Sequence, residues 1–207
     1  MMSIMTEPQF DKTALPRQPI LWIDGVGGYL LVDRGEVRLG QAVSGNSVDI
    51  GIVADISRQA AVLRRLESDY LLQPLQLPTR LNGNLVDRAQ LLTGQDLIQL
   101  GERVRLKFTR PNPLSATACL QLPGCGRFQP HVDGVLLLAE SCILGPRPGS
   151  HIVCSQWQSE LMLLRRSTAW YFRTSEELEV NGRGQTGLIP VVTGLRIRGN
   201  DFSLSIE

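Results

Sequence analysis

Six residues near the middle of the chain, Arg103 to Phe108 (RVRLKF), alternate between two characters. Val104, Leu106 and Phe108 fall on one face of an extended strand, and Arg103, Arg105 and Lys107 on the other. Side chains of a strand point to opposite faces in turn, so this pattern predicts a half-buried β-strand. DFSLSIE (201–207) repeats it, with Phe202, Leu204 and Ile206 against Ser203, Ser205 and Glu207. ILWID, YLLVD, VLLLAE, AWYFRT and LRIRG are further strand candidates. Between them lie DGVGG, SGNS, LNGN, LTGQD, PGCG, GPRPGS and VNGRG, which carry the Gly and Asn that tight turns need. Many short strands between such turns predict an all-β sandwich or barrel.

The same signals occur twice and in the same order. The first half runs EVRLG, VLRR, YLLQPL, RLNGNLV, LLTGQDLIQLG and VRLKF. The second runs SCILG, LLRR, WYFRT, EVNGRGQ, VVTGLRIRG and FSLSI. Gly83 to Gly94 spans eleven residues and Gly182 to Gly194 spans twelve. An internal period of this size predicts two like units in tandem. The boundaries expected are a disordered tail over 1–17, a first unit over 18–112 and a second over 117–207. The Pro-containing joint TRPNPLSATA between them is short, which predicts units in contact.

Composition narrows the function. With 43% hydrophobic and 20% charged residues among 207, each half can bury a core. The formal net charge is +1 and both signs are spread evenly, which argues against nucleic acid as partner. No apolar run is long enough to span a bilayer, and the first residues lack an apolar signal core. The expectation is a cytoplasmic protein without membrane contact. Cys119, Cys125, Cys142 and Cys154 form no close Cys-x-x-Cys pair, so reduced thiols are expected. Adding His131 and His151 gives no recognised zinc spacing; no metal and no cofactor is expected.

The stretch DISRQAAVLRR (55–65) pulls two ways. Ser57 is a good helix N-cap, and Ile56, Ala60, Leu63 and Glu67 share a helical face. A lone helix among regular short strands is the less consistent picture. The wider pattern decides for strand. VRLG, ISRQAAVLRR, YLLQPL, LNGNLVDRAQLLTGQDLIQLG and VRLKF resemble the forkhead-associated (FHA) family, over about Pro19 to Pro111. That family's pattern is Gly-Arg, Ser-Arg-x-His-Ala, an aromatic-led strand, two Asn-Gly loops and Leu-x-x-Gly-Asp-x-Ile-x-Leu-Gly. The second half resembles it more faintly from about Ala118 onward. The resemblance implies two tandem FHA-like β-sandwiches in which QAAVLRR is a strand following a recognition loop.

FHA domains read phosphothreonine peptides with Arg-assisted loops. A phosphate carries nearly two negative charges and three strong acceptors, so a cation and a hydroxyl held in fixed loops can grip it. Carried over, Gly40 matches, but the following arginine is Gln41. Ser57 and Arg58 match, while the histidine position is Ala60. Asn82-Gly83 fits the second Asn-Gly. The first falls in LQLPTR, where Thr79 or Arg80 would stand in for the missing Asn. In the second half Gly145 precedes Pro146, and Ser159 precedes the anionic Glu160, so no phosphate site is expected there.

The reading is a non-enzymatic protein–protein interaction scaffold that binds a protein or peptide without needing phosphate. The alternative is a phosphothreonine-peptide reader through a remodelled site of Gln41, Ser57, Arg58, Thr79 and Arg80, with Arg38 or Arg80 replacing the lost cation. No spacing of His, Ser or acidic residues suggests a catalytic constellation, and no Gly-rich loop leads into a helix.

Overall fold

The structure, a computed structural model, describes residues 19–207. The tail expected over 1–17 lies outside the described residues. The described residues form strands and no helix. In chain order they begin with β1 (Ile20–Ile23), β2 (Gly27–Val32), β3 (Glu36–Gln41), β4 (Ile50–Val53), β5 (Ala61–Leu66), β6 (Asp69–Pro74) and β7 (Thr79–Leu81). There follow β8 (Asn84–Leu85), β9 (Gln90–Leu92), β10 (Gln95–Leu100), β11 (Val104–Thr109), β12 (Ala118–Gln121), β13 (Arg127–Gln129) and β14 (Gly134–Leu137). The last are β15 (Ser141–Gly145), β16 (Ile152–Val153), β17 (Leu161–Arg166), β18 (Ala169–Val180), β19 (Arg183–Pro190), β20 (Arg196–Arg198) and β21 (Ser203–Ile206).

The disputed stretch is a strand. Ala61, Val62 and Leu63 of β5 are all buried, and β5 pairs with β3 on one side and β6 on the other. Tertiary burial overrides a local helix preference of at most a few tenths of a kcal/mol per residue. The alternation in RVRLKF holds: Val104, Leu106 and Phe108 are no more than 1% exposed, while Arg105 and Lys107 face solvent.

The internal repeat reappears in the pairing. β3 runs parallel to β4 and antiparallel to β5, and β15 stands in the same relation to β16 and β17. β6 pairs with β5 and β9, and β18 with β17 and the end of β19. β7 pairs with β8 and β10, as the far end of β18 pairs with β19 and β20. Asn82 and Asn181 take the same left-handed turn, φ 50° and 49°. Each side-chain oxygen accepts the backbone N–H of the facing strand, Leu97 or Arg196, at 2.8 and 2.9 Å.

One difference reshapes the second unit. In the first, Leu75–Pro78 interrupts the chain between β6 and β7. In the second, the corresponding stretch continues as one twelve-residue strand, β18, with an irregularity between Thr174 and Leu178. A six-stranded sheet therefore stands apart in the first unit, β13-β4-β3-β5-β6-β9. The remaining fifteen strands form one sheet running through both units.

The division expected at residues 112–117 does not describe how the cores are built. β11 pairs with β12, and β12 with β14, so this pair extends the first unit. β1 instead pairs with β21, so the β1–β2 hairpin completes the second unit. The cores follow suit. Ala118, Leu120, Phe128, Val135 and Leu137 pack with Leu39, Leu63 and Phe108. Leu21, Ile23, Tyr29 and Leu31 pack with Trp157, Phe172 and Leu204. The joint after β11 is short, and strands close in sequence pair most readily, so β12 takes the place beside β11. β2 and β14 then meet in parallel at the centre, with Leu30 facing one core and Leu31 the other.

Matching polar clamps hold the exchanged hairpins. Tyr70 of β6 donates its hydroxyl hydrogen to the Ala116 carbonyl at 2.9 Å, and Arg65 of β5 donates to that of Leu138. In the second unit Trp170 donates its indole N–H to Asp33 at 2.8 Å, and Arg165 bridges Asp33 and Glu140. Asp33 lies just after β2, so this clamp fixes the first hairpin to the second unit.

Candidate functional site

Three loops of the first unit gather at one end of its six-stranded sheet: 42–49, 54–60 and 75–78. Gly40 sets their spacing, since a Cβ there would fall 1.9 Å from the Arg58 carbonyl oxygen. The Gln41 N–H donates to the Ser57 carbonyl at 3.0 Å. The Leu75 and Gln76 N–H groups both donate to the Ala60 carbonyl, at 2.9 and 3.2 Å. The loop assembly is thus tied by backbone bonds.

The side chains at this end are largely spent on the same task. Gln41 donates its amide to the Ala54 carbonyl at 3.2 Å. Asn46 donates to the carbonyls of Gln41 and Arg58 at 2.8 and 2.6 Å. Thr79 is 1% exposed, and its hydroxyl donates to the Gln76 carbonyl at 2.8 Å. Ala60 is buried and brings no polar group. The exposed side chains here include Asp55, Ser57, Arg58 and Gln59, beside the exposed apolar Val43, Leu75 and Leu77. Arg58 has no ion pair among the described residues.

Of the five residues singled out from sequence, the fold brings together Gln41, Ser57 and Arg58. Thr79 is turned into the core. Arg80 sits on β7 between Leu85 and Gln99, on the outer face of the fifteen-stranded sheet. Arg38 is held at its backbone N–H by Asp49, and its guanidinium lies 3.8 Å from Glu36. Sequence reasoning missed Asn46, which ties two loops together. Its signal was present in SGNS, which reads as a turn.

The corresponding end of the second unit has a different character. Gly145 packs against Glu160, whose carboxylate pairs with Arg147 at 3.4 Å. A cavity of about 130 Å³ there is bordered by Glu160, Glu176, Thr174 and Phe202. Two carboxylates at its rim oppose a phosphate. His151 is buried; its Nδ1 accepts the Ile143 N–H at 2.9 Å, and burial lowers its pKa to about 4. Cys119, Cys142 and Cys154 lie in the second core, where burial raises their pKa values, to about 12 for Cys119 and about 11 for Cys154. Thiols so held stay protonated and unreactive. Cys125 alone is exposed. No three metal-ligating side chains converge among the described residues, and no described helix is long and apolar enough to cross a membrane.

Set against known proteins, the chain matches no family model and no curated protein.

Proposed function

We propose that the chain is a non-catalytic interaction scaffold built of two FHA-like units, and that its loop end in the first unit binds protein without requiring phosphate. One observation carries this reading. Three of the polar side chains at that end are turned inward as loop braces, Gln41 on Ala54, Asn46 on Gln41 and Arg58, and Thr79 on Gln76, which leaves Arg58, among the described residues, as the one exposed cation beside Ser57. A phosphate grip needs donors that converge outward, and each charge-assisted hydrogen bond lost costs about 1.5–3 kcal/mol. Two such losses erase micromolar binding. Exposed Leu75, Leu77 and Val43 offer contact area that no phosphate would use.

A second reading rests on Ser57 and Arg58, exposed next to each other, as a remnant phosphate contact. A phosphothreonine peptide array, paired with unmodified copies, separates the two. The scaffold reading expects no phosphate-dependent signal. Micromolar binding that needs the phosphate and is lost in Ser57→Ala/Arg58→Ala overturns it.

A further inference from the structure

We propose that the outer face of β7, β10, β11 and β12 is a docking surface for an acidic, leucine-bearing peptide segment of a partner protein. Cross-strand register assembles it from residues far apart in sequence. One row runs Leu85, Arg80, Gln99, Arg105 across four strands. The next runs Leu97, Lys107, Gln121 across three. In the turn before β11, the exposed Glu102 and Arg103 stand side by side, and the Arg103 guanidinium reaches toward Cys125 at 4.0 Å. Neither row contains a carboxylate, and none of their three cations has an ion pair among the described residues.

The two rows themselves carry positive charge alone. Six arginines elsewhere lie against carboxylates: Arg34 against Asp49, Arg38 and Arg64 against Glu36, Arg110 against Asp69, Arg147 against Glu160, and Arg165 against Asp33 and Glu140. Geometry sets the complement. Arg105 and Lys107 are two residues apart on one strand, about 7 Å, and Arg80 and Arg105 are two strands apart, about 10 Å. Carboxylates on an extended or helical segment meet that spacing. Leu85 and Leu97, 57% and 39% exposed at the margin of the rows, ask for apolar contact between the charges. A nucleic acid would call for aromatic stacking or a longer phosphate track, and this face has no aromatic side chain.

The inference rests on the reading of the chain as an interaction module but uses a different face from the loop end. The test is fluorescence anisotropy at low salt (about 50 mM, where screening is weak). The probe is a fluorescein-labelled peptide of repeating Glu-Glu-Leu. The parent protein is expected to bind it, and Arg80→Gln/Arg105→Gln/Lys107→Gln to bind at least about tenfold more weakly. Arg196→Gln/Arg198→Gln, on the outer face of the second unit, and Ser57→Ala/Arg58→Ala should both bind as the parent does. Absence of binding, an equal loss in the Arg196/Arg198 pair, or equal binding of a Gln-Gln-Leu peptide overturns the proposal. So does binding to phosphatidylserine vesicles with none to the peptide. Phosphate-dependent binding at Ser57 and Arg58 would refute the scaffold reading of the loops and leave this face standing.

Discussion

Leu21 stands early in the chain and inside the second core, so replacing it tests the exchange of hairpins. It is fully buried on β1 and packs among residues of the second unit. Leu21→Ala removes three carbon atoms, about 2 kcal/mol of transfer free energy, and the cavity left behind brings the total to about 3 kcal/mol. The mirror substitution is Leu120→Ala, fully buried on β12 in the first core, with a similar cost. Native-state hydrogen exchange read by mass spectrometry locates each loss, because partial opening is local to a cooperative unit. Leu21→Ala should speed exchange over 161–180 and 196–206 and lower the urea midpoint seen by tryptophan fluorescence. Trp22, Trp157 and Trp170 all lie on elements of the second unit. Leu120→Ala should speed exchange over 36–74 and 95–109. The reverse assignment, with Leu21→Ala opening 36–109, would refute the exchanged arrangement.

Three further outcomes follow from the same structure. His151 is neutral when folded, with its pKa lowered to about 4 from 6.5, so its contribution is complete above pH 6.5 and is lost as pH falls toward 4. The loss is on the order of 3 kcal/mol, and urea midpoints at pH 7.5 and 4.5 should converge in His151→Asn, which keeps an acceptor for the Ile143 N–H. A thiol reagent should label one of the four cysteines, Cys125, in the native protein and the other three only on unfolding; rapid labelling of Cys142 would contradict its burial. Gly40→Ala sets a methyl group against the Arg58 carbonyl and should cost about 1–3 kcal/mol by thermal melting, against no more than about half of that for Gly35→Ala, whose Cβ meets open space on backbone outside the left-handed region.

The strands were legible because burial imposes a period, as in Val104, Leu106 and Phe108. The turns were legible because Asn82-Gly83 and Asn181-Gly182 need left-handed backbone. β5 was legible only from the pattern of the whole unit, since its own residues favour a helix. The exchange of hairpins was not legible. YLLVD and VLLLAE are both apolar enough for either core, and alternation specifies a face without specifying a partner. Why one unit splits β6 from β7 is visible afterwards: Pro74 and Pro78 interrupt pairing there, and TSEELE carries no proline. At the site, the motif positions Gln41, Ser57 and Arg58 could be placed by spacing. That Thr79 points inward, and that Arg80 joins Arg105 across Gln99, depends on register, which spacing does not reveal.

β1 is zipped to β21, some 180 residues further along. A ribosome adding about 5–20 residues per second releases the second of these roughly ten to thirty-five seconds after the first. Through that interval Leu21 and Ile23 have no finished core to enter, while the first unit can close as soon as β14 emerges. The β1–β2 hairpin of a newly made chain therefore waits, with its apolar side chains uncovered, until the far end of the second unit has been synthesised.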